Sequence, residues 1–120
     1  MTDTPARRRI LVVEDEALVA MQLEDMLAEL GHEIAASCAR LDEAVATART
    51  VACDVAVLDI NLSGQKSFPV AEMLKDRGVP FLFATGYGAS ILPPALADAR
   101  VLHKPYSLDD LKSALSHALA

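Results

Sequence analysis

Glu14, Asp15 and Asp59 are carboxylates, Thr85 carries a hydroxyl and Lys104 an amine, and each stands at or just beyond the end of a short apolar run. Those groups are what phosphoryl transfer requires. A carboxylate can act as nucleophile, acidic neighbours can hold a hard divalent cation, and a hydroxyl and an amine can meet phosphoryl oxygens. Taken singly, each has a plain structural explanation. Glu14-Asp15 could open a helix, because carboxylates favour the positive end of a helix dipole. Asp59 could be a turn residue, Thr85 a turn cap and Lys104 a solvated charge. The functional reading depends on all of them meeting at one place.

The apolar runs are Ile10–Val13, Glu33–Ser37, Val55–Leu58, Phe81–Ala84 and Val101–Leu102, and helical stretches separate them. Strands alternating with helices predict a parallel α/β sheet, whose strands end on the same side. Open sheets of this kind hold ligands outside the carboxyl ends of their strands. The carboxylates, hydroxyl and amine therefore share one rim, and the Glu33–Ser37 run brings nothing reactive to it. Neighbouring strands lie ~4.8 Å apart, so the acidic residues are crowded unless a cation neutralises them or a proton is taken up. Mg²⁺, held by carboxylates, a backbone carbonyl and water, answers that need. Asp59 is then the nucleophile, and Lys104 pairs with it when no phosphoryl group is present.

Glu16–Leu30 reads as a helix, with Val19, Leu23, Met26, Leu27 and Leu30 on one face and Gly31 as its stop. Spacing also places Met21 and Met73 in helix cores. Leu41–Val51 is a second helix, with Leu41, Ala44, Val45 and Ala48 turned inward. Asn61–Lys66 reads as a loop. A third helix follows, with Ser67 as N-cap, Pro69 in the first turn, Val70, Met73 and Leu74 buried, and Gly78 ending it. Gly86–Gly88 is another loop, and Pro93-Pro94 predicts a short or displaced fourth helix. Ser107 caps the last helix, whose apolar stripe is Leu108, Leu111, Leu115 and Leu119.

The 120 residues suit one domain, and a 52% hydrophobic content can fill its core. Aromatic residues make up only 4%, so Ala, Val and Leu must do most of that filling. A formal charge of −6 disfavours a nucleic-acid partner, with Arg7-Arg8-Arg9 read as a solvated strand entry. No run approaches the ~18 apolar residues of a membrane span, and no signal region opens the chain, so a cytoplasmic protein is expected. Cys38 and Cys53 lack metal-ligand spacing and read as small apolar residues. His32, His103 and His117 have no partners at ligand spacing. Neither a phosphate-binding P-loop nor a dinucleotide fingerprint is present.

The motifs VVEDE around Glu14-Asp15, VLDINL around Asp59, FATG around Thr85 and HKPY around Lys104 resemble, in that order, the receiver domain of two-component response regulators. The resemblance runs from about Arg8 to Ala118. It implies a flavodoxin-like (βα)5 fold, a five-stranded parallel sheet in the order 2-1-3-4-5 with helices on both faces. Residues 1–8 would be an N-terminal tail and 9–120 the receiver, with no output domain. It implies phosphorylation of Asp59 by a sensor histidine kinase or phosphotransfer protein, with Thr85 and Lys104 as phosphoryl contacts. Mg²⁺ would be held by Glu14, Asp15, Asp59 and the backbone carbonyl of Asn61, and a cis bond would join Lys104 to Pro105. A downstream protein target would receive the signal from a monomer. The run PFLFATGYG over Pro80–Gly88 is similar to the signature of the FAT GUY receivers, associated with general stress-response phosphosignalling.

One departure bears on signalling. Many receivers carry Tyr or Phe three residues before the lysine, and this chain has Val101, whose branched side chain cannot swing in the same way. Thr85, Tyr87 and Tyr106 are then the switch candidates. An aspartyl-phosphate phosphatase is the rival reading. Such enzymes want a carboxylate two residues beyond the nucleophile as general acid and base, and here that residue is Asn61. A non-enzymatic phospho-acceptor fits better than a phosphatase or a receiver that binds partners without phosphorylation.

Overall fold

A computed structural model describes residues 7–86 and 92–120. Its central strands, β1 (Arg9–Val13) and β3 (Val55–Asp59), are buried almost throughout, as expected of strands covered on both faces. Side chains alternate across them. Leu11 and Val13 join the core beneath helices α2 (Leu41–Thr50) and α3 (Phe68–Asp76), together with Leu58 and Phe83. Ile10 and Val12 join the opposite core, beneath α1 (Ala17–Glu29) and the last helix α4 (Leu108–Leu119), with Leu23, Leu27 and Leu111. A shift of one residue would exchange the two sets, so the hydrophobic pattern specifies the register.

The remaining strands are β2 (Glu33–Cys38), β6 (Phe81–Thr85) and β7 (Arg100–His103). The large sheet runs β2-β1-β3-β6-β7, all parallel, which is the anticipated 2-1-3-4-5 order among its members. Its reversal of direction at β1 and β3 is the topological switch point. Phe83 meets Phe68 and Phe81 edge-on, with centroids 5.9 and 5.6 Å apart, so the few aromatic rings are concentrated under α3.

Several local expectations need correction. Asn61–Lys66 is an antiparallel hairpin, β4 (Asn61–Leu62) and β5 (Gln65–Lys66), rather than a loop. Ser63 and Gly64 turn it with φ of 52° and 88°, the positive pair that a tight two-residue hairpin needs. Ser67 precedes α3 with ψ near 7°, outside the extended geometry of a side-chain cap, and its hydroxyl makes no cap bond. That hydroxyl is buried without a hydrogen-bond partner, while the Ser67 carbonyl accepts from the Val70 and Ala71 amides. Met21 is 60% exposed instead of lying in the helix core, and Leu18 beside it is 67% exposed. Met73 is half-buried against the core.

The expected displaced fourth helix corresponds, within the described residues, to a single 3₁₀ turn at Pro94–Leu96. Leu96 is buried in the core, and Lys75 Nζ reaches from α3 to the Ala95 carbonyl at 2.7 Å. Ser107 does cap α4: its hydroxyl accepts from the Asp110 amide at 3.0 Å, and the Asp110 carboxylate accepts from the Ser107 amide at 2.9 Å. Ser107→Ala should therefore lower unfolding free energy by about 1 kcal/mol in urea titration, with no change in slope. No helix among the described residues is long and apolar enough to cross a membrane.

Candidate functional site

Glu14 and Asp15 follow β1, Asp59 ends β3, Thr85 ends β6 and Lys104 follows β7, so adjacent parallel strands deliver them to one rim. Backbone pairing extends beyond the strands themselves. The Glu14 amide donates to the Cys38 carbonyl at 3.0 Å, and the Lys104 amide to the Thr85 carbonyl at 2.9 Å. The Lys104–Pro105 bond is cis.

The acidic side chains occupy different settings. Glu14 and Asp59 are only 5% and 9% exposed, while Asp15 is half-buried. Each can offer one oxygen such that all the ligand atoms lie within 4.8 Å of one another, the only such metal-ligating group of three among the described residues. Burial first, and then the charge of Glu14, push the Asp59 carboxyl up to about 7, with Lys104 opposing. Such a crowded, oxygen-only set suits a hard divalent cation, whose charge would relieve the repulsion. The donor set passes that test.

Lys104 Nζ lies 2.9 Å from Glu14 Oε1 and 3.6 Å from Asp59 Oδ2. The expected partner, Asp59, is thus the more distant one, and the hydrogen bond goes to Glu14. The other Glu14 oxygen accepts the Glu16 amide at 3.1 Å, so both its oxygens have donors. Burial disfavours the Lys104 cation, but its bond to Glu14 and the charge of Asp59 outweigh that cost and raise its pKa. Burial likewise works against the ionised Asp15 carboxyl. Hydrogen bonds led by the Ser63 hydroxyl overcome it and hold the group below the usual carboxylate range.

Thr85 is buried at the rim. Asn61 is half-buried at the start of the hairpin, and its backbone amide favours the ionised form of Asp59. Tyr106 is half-buried against the core under α1 and α4, where burial raises its phenol and the Lys104 charge acts in the other direction. Tyr87 lies outside the described residues. Val101 is half-buried on the other side of the sheet, packed against the core that contains Phe83.

The histidines stay out of this group: the His32 ring accepts the Arg8 amide, His117 meets the Ser113 carbonyl and His103 is exposed. Ser63 is the residue that sequence reasoning passed over. Its amide and hydroxyl both donate to Asp15 Oδ2, each at 3.0 Å. The available signal was a small polar residue immediately before Gly64 in a segment otherwise read as loop.

Residues 10–116 match the family described as the response regulator receiver domain. The chain is 32% identical over 122 residues to the transcriptional regulatory protein PdtaR of Mycobacterium tuberculosis, covering 98% of this chain and 60% of PdtaR. It is 32% identical over 114 residues to the phyllosphere-induced regulator PhyR of Methylorubrum extorquens, covering 92% of this chain and 43% of PhyR. The chain thus spans less than two thirds of the length of these curated relatives. Among solved structures, SdrG from Sphingomonas melonis Fr1 matches with a TM-score of 0.84 and 40% identity, over 97% of this chain and 99% of that one. The receiver domain of Erythrobacter litoralis PhyR matches with a TM-score of 0.82 and 29% identity, over 95% and 91%.

Proposed function

This chain belongs to the response regulator receiver family, and we propose from that premise that it accepts a phosphoryl group on Asp59 and signals through protein contacts. The observation that carries the reading is the meeting of Glu14, Asp15, Asp59, Thr85 and Lys104 at the carboxyl end of one parallel sheet. The donor is a sensor histidine kinase or a phosphotransfer protein. An ionised Asp59 oxygen attacks phosphorus, the phosphorus–nitrogen bond of a phosphohistidine breaks, and the imidazole leaves as the aspartyl phosphate forms.

Glu14, Asp15, Asp59 and the Asn61 carbonyl would hold Mg²⁺, which when bound supplies positive charge against the phosphoryl oxygens. Lys104 and Thr85 meet the remaining oxygens, the lysine by turning from Glu14 toward the new group. Asn61 cannot relay a proton to an attacking water, which favours a lasting signal over phosphatase turnover. The protein on this reading is not an enzyme acting on separate substrates. It works as a cytoplasmic monomer that passes its state to a downstream protein. General stress-response phosphosignalling is the proposed setting, supported by the PFLFATGYG run and by the likeness to PhyR and SdrG.

Intact-protein mass spectrometry after incubation with acetyl phosphate and Mg²⁺ tests the acceptor. The unaltered protein should gain one phosphoryl adduct, and Asp59→Asn should gain none. A folded protein that takes no adduct from acetyl phosphate or from any phosphorylated histidine donor would overturn the proposal.

A further inference from the structure

We infer that Ser63 is a positioning residue for the metal site, fastening the β4–β5 hairpin to Asp15 and holding that carboxylate ready for a divalent cation. The inference rests on the reading that Glu14, Asp15 and Asp59 bind such an ion. Asp15 needs external support more than its neighbours do. Glu14 has donors on both oxygens, and Asp59 ends a fully buried strand. Asp15 lies between the end of β1 and the start of α1, half-exposed, and Ser63 leads the hydrogen bonds to its carboxylate, ahead of Glu14 and its own backbone.

Ser63 holds that carboxylate from 48 residues away in sequence. Its amide and hydroxyl converge on Oδ2 at 3.0 Å each, and leave Oδ1 without a Ser63 contact. The backbone geometry is costly for this residue type. With φ at 52°, Ser63 occupies the left-handed region that glycine adopts freely, beside Gly64 at 88°. A second glycine would make the turn more easily but would lose the hydroxyl bond. Partners that orient a metal-binding side chain typically change affinity by 10–100-fold when removed. Coupling of this kind is reciprocal: if the hairpin favours the metal, the metal must favour the closed hairpin.

Ser63→Gly is the informative variant, because it keeps the amide donor and relaxes the turn while deleting only the hydroxyl bond. Calorimetric Mg²⁺ titration should show binding weakened by about tenfold, the low end of that range. Melting of the metal-free variant should be unchanged or slightly higher. A merely structural role would instead lower the melting temperature and leave Mg²⁺ affinity alone. Ser63→Ala keeps the strain and loses the hydroxyl, so it should show the same loss of affinity with a lower melting temperature. In the unaltered protein, hydrogen exchange at the Ser63 amide should slow when Mg²⁺ is added. Equal Mg²⁺ affinity in Ser63→Gly and the parent, or no change in exchange, overturns the inference while leaving the metal site standing. Failure of the parent itself to bind Mg²⁺ overturns both.

Discussion

Asp59→Asn stabilises the metal-free protein at pH 8, by up to roughly 4 kcal/mol, even as it removes the proposed phosphoryl acceptor. The Asp59 carboxyl is held at about 7, against an ordinary value of 3.8, by burial and by the neighbouring Glu14 charge. Each pH unit of such a shift is worth ~1.4 kcal/mol, so ionising this group in the folded state carries a large cost. An amide has almost the same shape and needs no ionisation. It leaves the 2.9 Å bond between Lys104 and Glu14 in place. The gain should raise the melting temperature by up to roughly 15 °C for a domain of this size.

The same group sets the direction of the pH dependence. Below 3.8 the carboxyl is protonated in both the folded and unfolded states, and its ionisation costs nothing. Between 3.8 and about 7 the unfolded chain releases the proton and the folded chain keeps it. The unfolded state then binds fewer protons, so this contribution to stability falls as pH rises through that window and is fully lost above about 7. Urea denaturation of both proteins from pH 4 to pH 8 should show Asp59→Asn pulling steadily ahead. Mg²⁺ should narrow the difference, because the cation neutralises the carboxylates that the parent crowds together. A variant no more stable than the parent at pH 8 without metal would mean that the rim does not oppose ionisation of Asp59.

The parts of this protein legible in sequence are those where one physical demand dominates. Strands β1 and β3 are covered on both faces, so they had to be unbroken apolar runs, and the acidic residues at their ends stood out for that reason. The α4 cap was equally plain, since Ser107 and the following acids serve only a helix start. What escaped detection depends on direction and reach. Helical spacing placed Met21 in the core, yet the buried line of α1 is Ala20, Leu23 and Leu27, and Met21 lies about 100° further round. Small Ala20 gave little hydrophobic signal for the face it occupies. Two-residue strands have no periodicity to read, so the hairpin looked like a loop. Ser67 had the right chemistry for a cap and the wrong backbone angle. Strand order did bring Lys104 to Asp59, an ion pair at 3.6 Å. The closer bond to Glu14 at 2.9 Å was decided by the flexible lysine stem, a choice that strand order does not contain.

That choice leads to the second large effect. Lys104→Met should bind Mg²⁺ at least about tenfold more tightly than the parent while being less stable without it. The Lys104 cation takes Glu14 Oε1 at 2.9 Å and lies 3.6 Å from Asp59, so it occupies the charge that an incoming metal ion must use. A unit charge held ~4 Å away in a partly buried site repels another with energy of a few kcal/mol, more than enough for a tenfold change. Methionine fills similar space with no charge, so the competition ends. The metal-free protein then has Glu14 and Asp59 buried side by side with no cation between them. Removing one partner of a buried pair costs ~3–5 kcal/mol, and a side chain still 24% exposed reduces that to about 2 kcal/mol. Asp59 should still take an adduct from acetyl phosphate, because nucleophile and metal ligands remain. Phosphorylation-dependent partner binding should be lost, because no cation turns from Glu14 to the phosphoryl group. Calorimetry and urea denaturation on the same preparation separate these effects. Weaker Mg²⁺ binding by Lys104→Met would show instead that the lysine organises the carboxylates for the metal, and its bond to Glu14 would then be scaffolding, not a resting position.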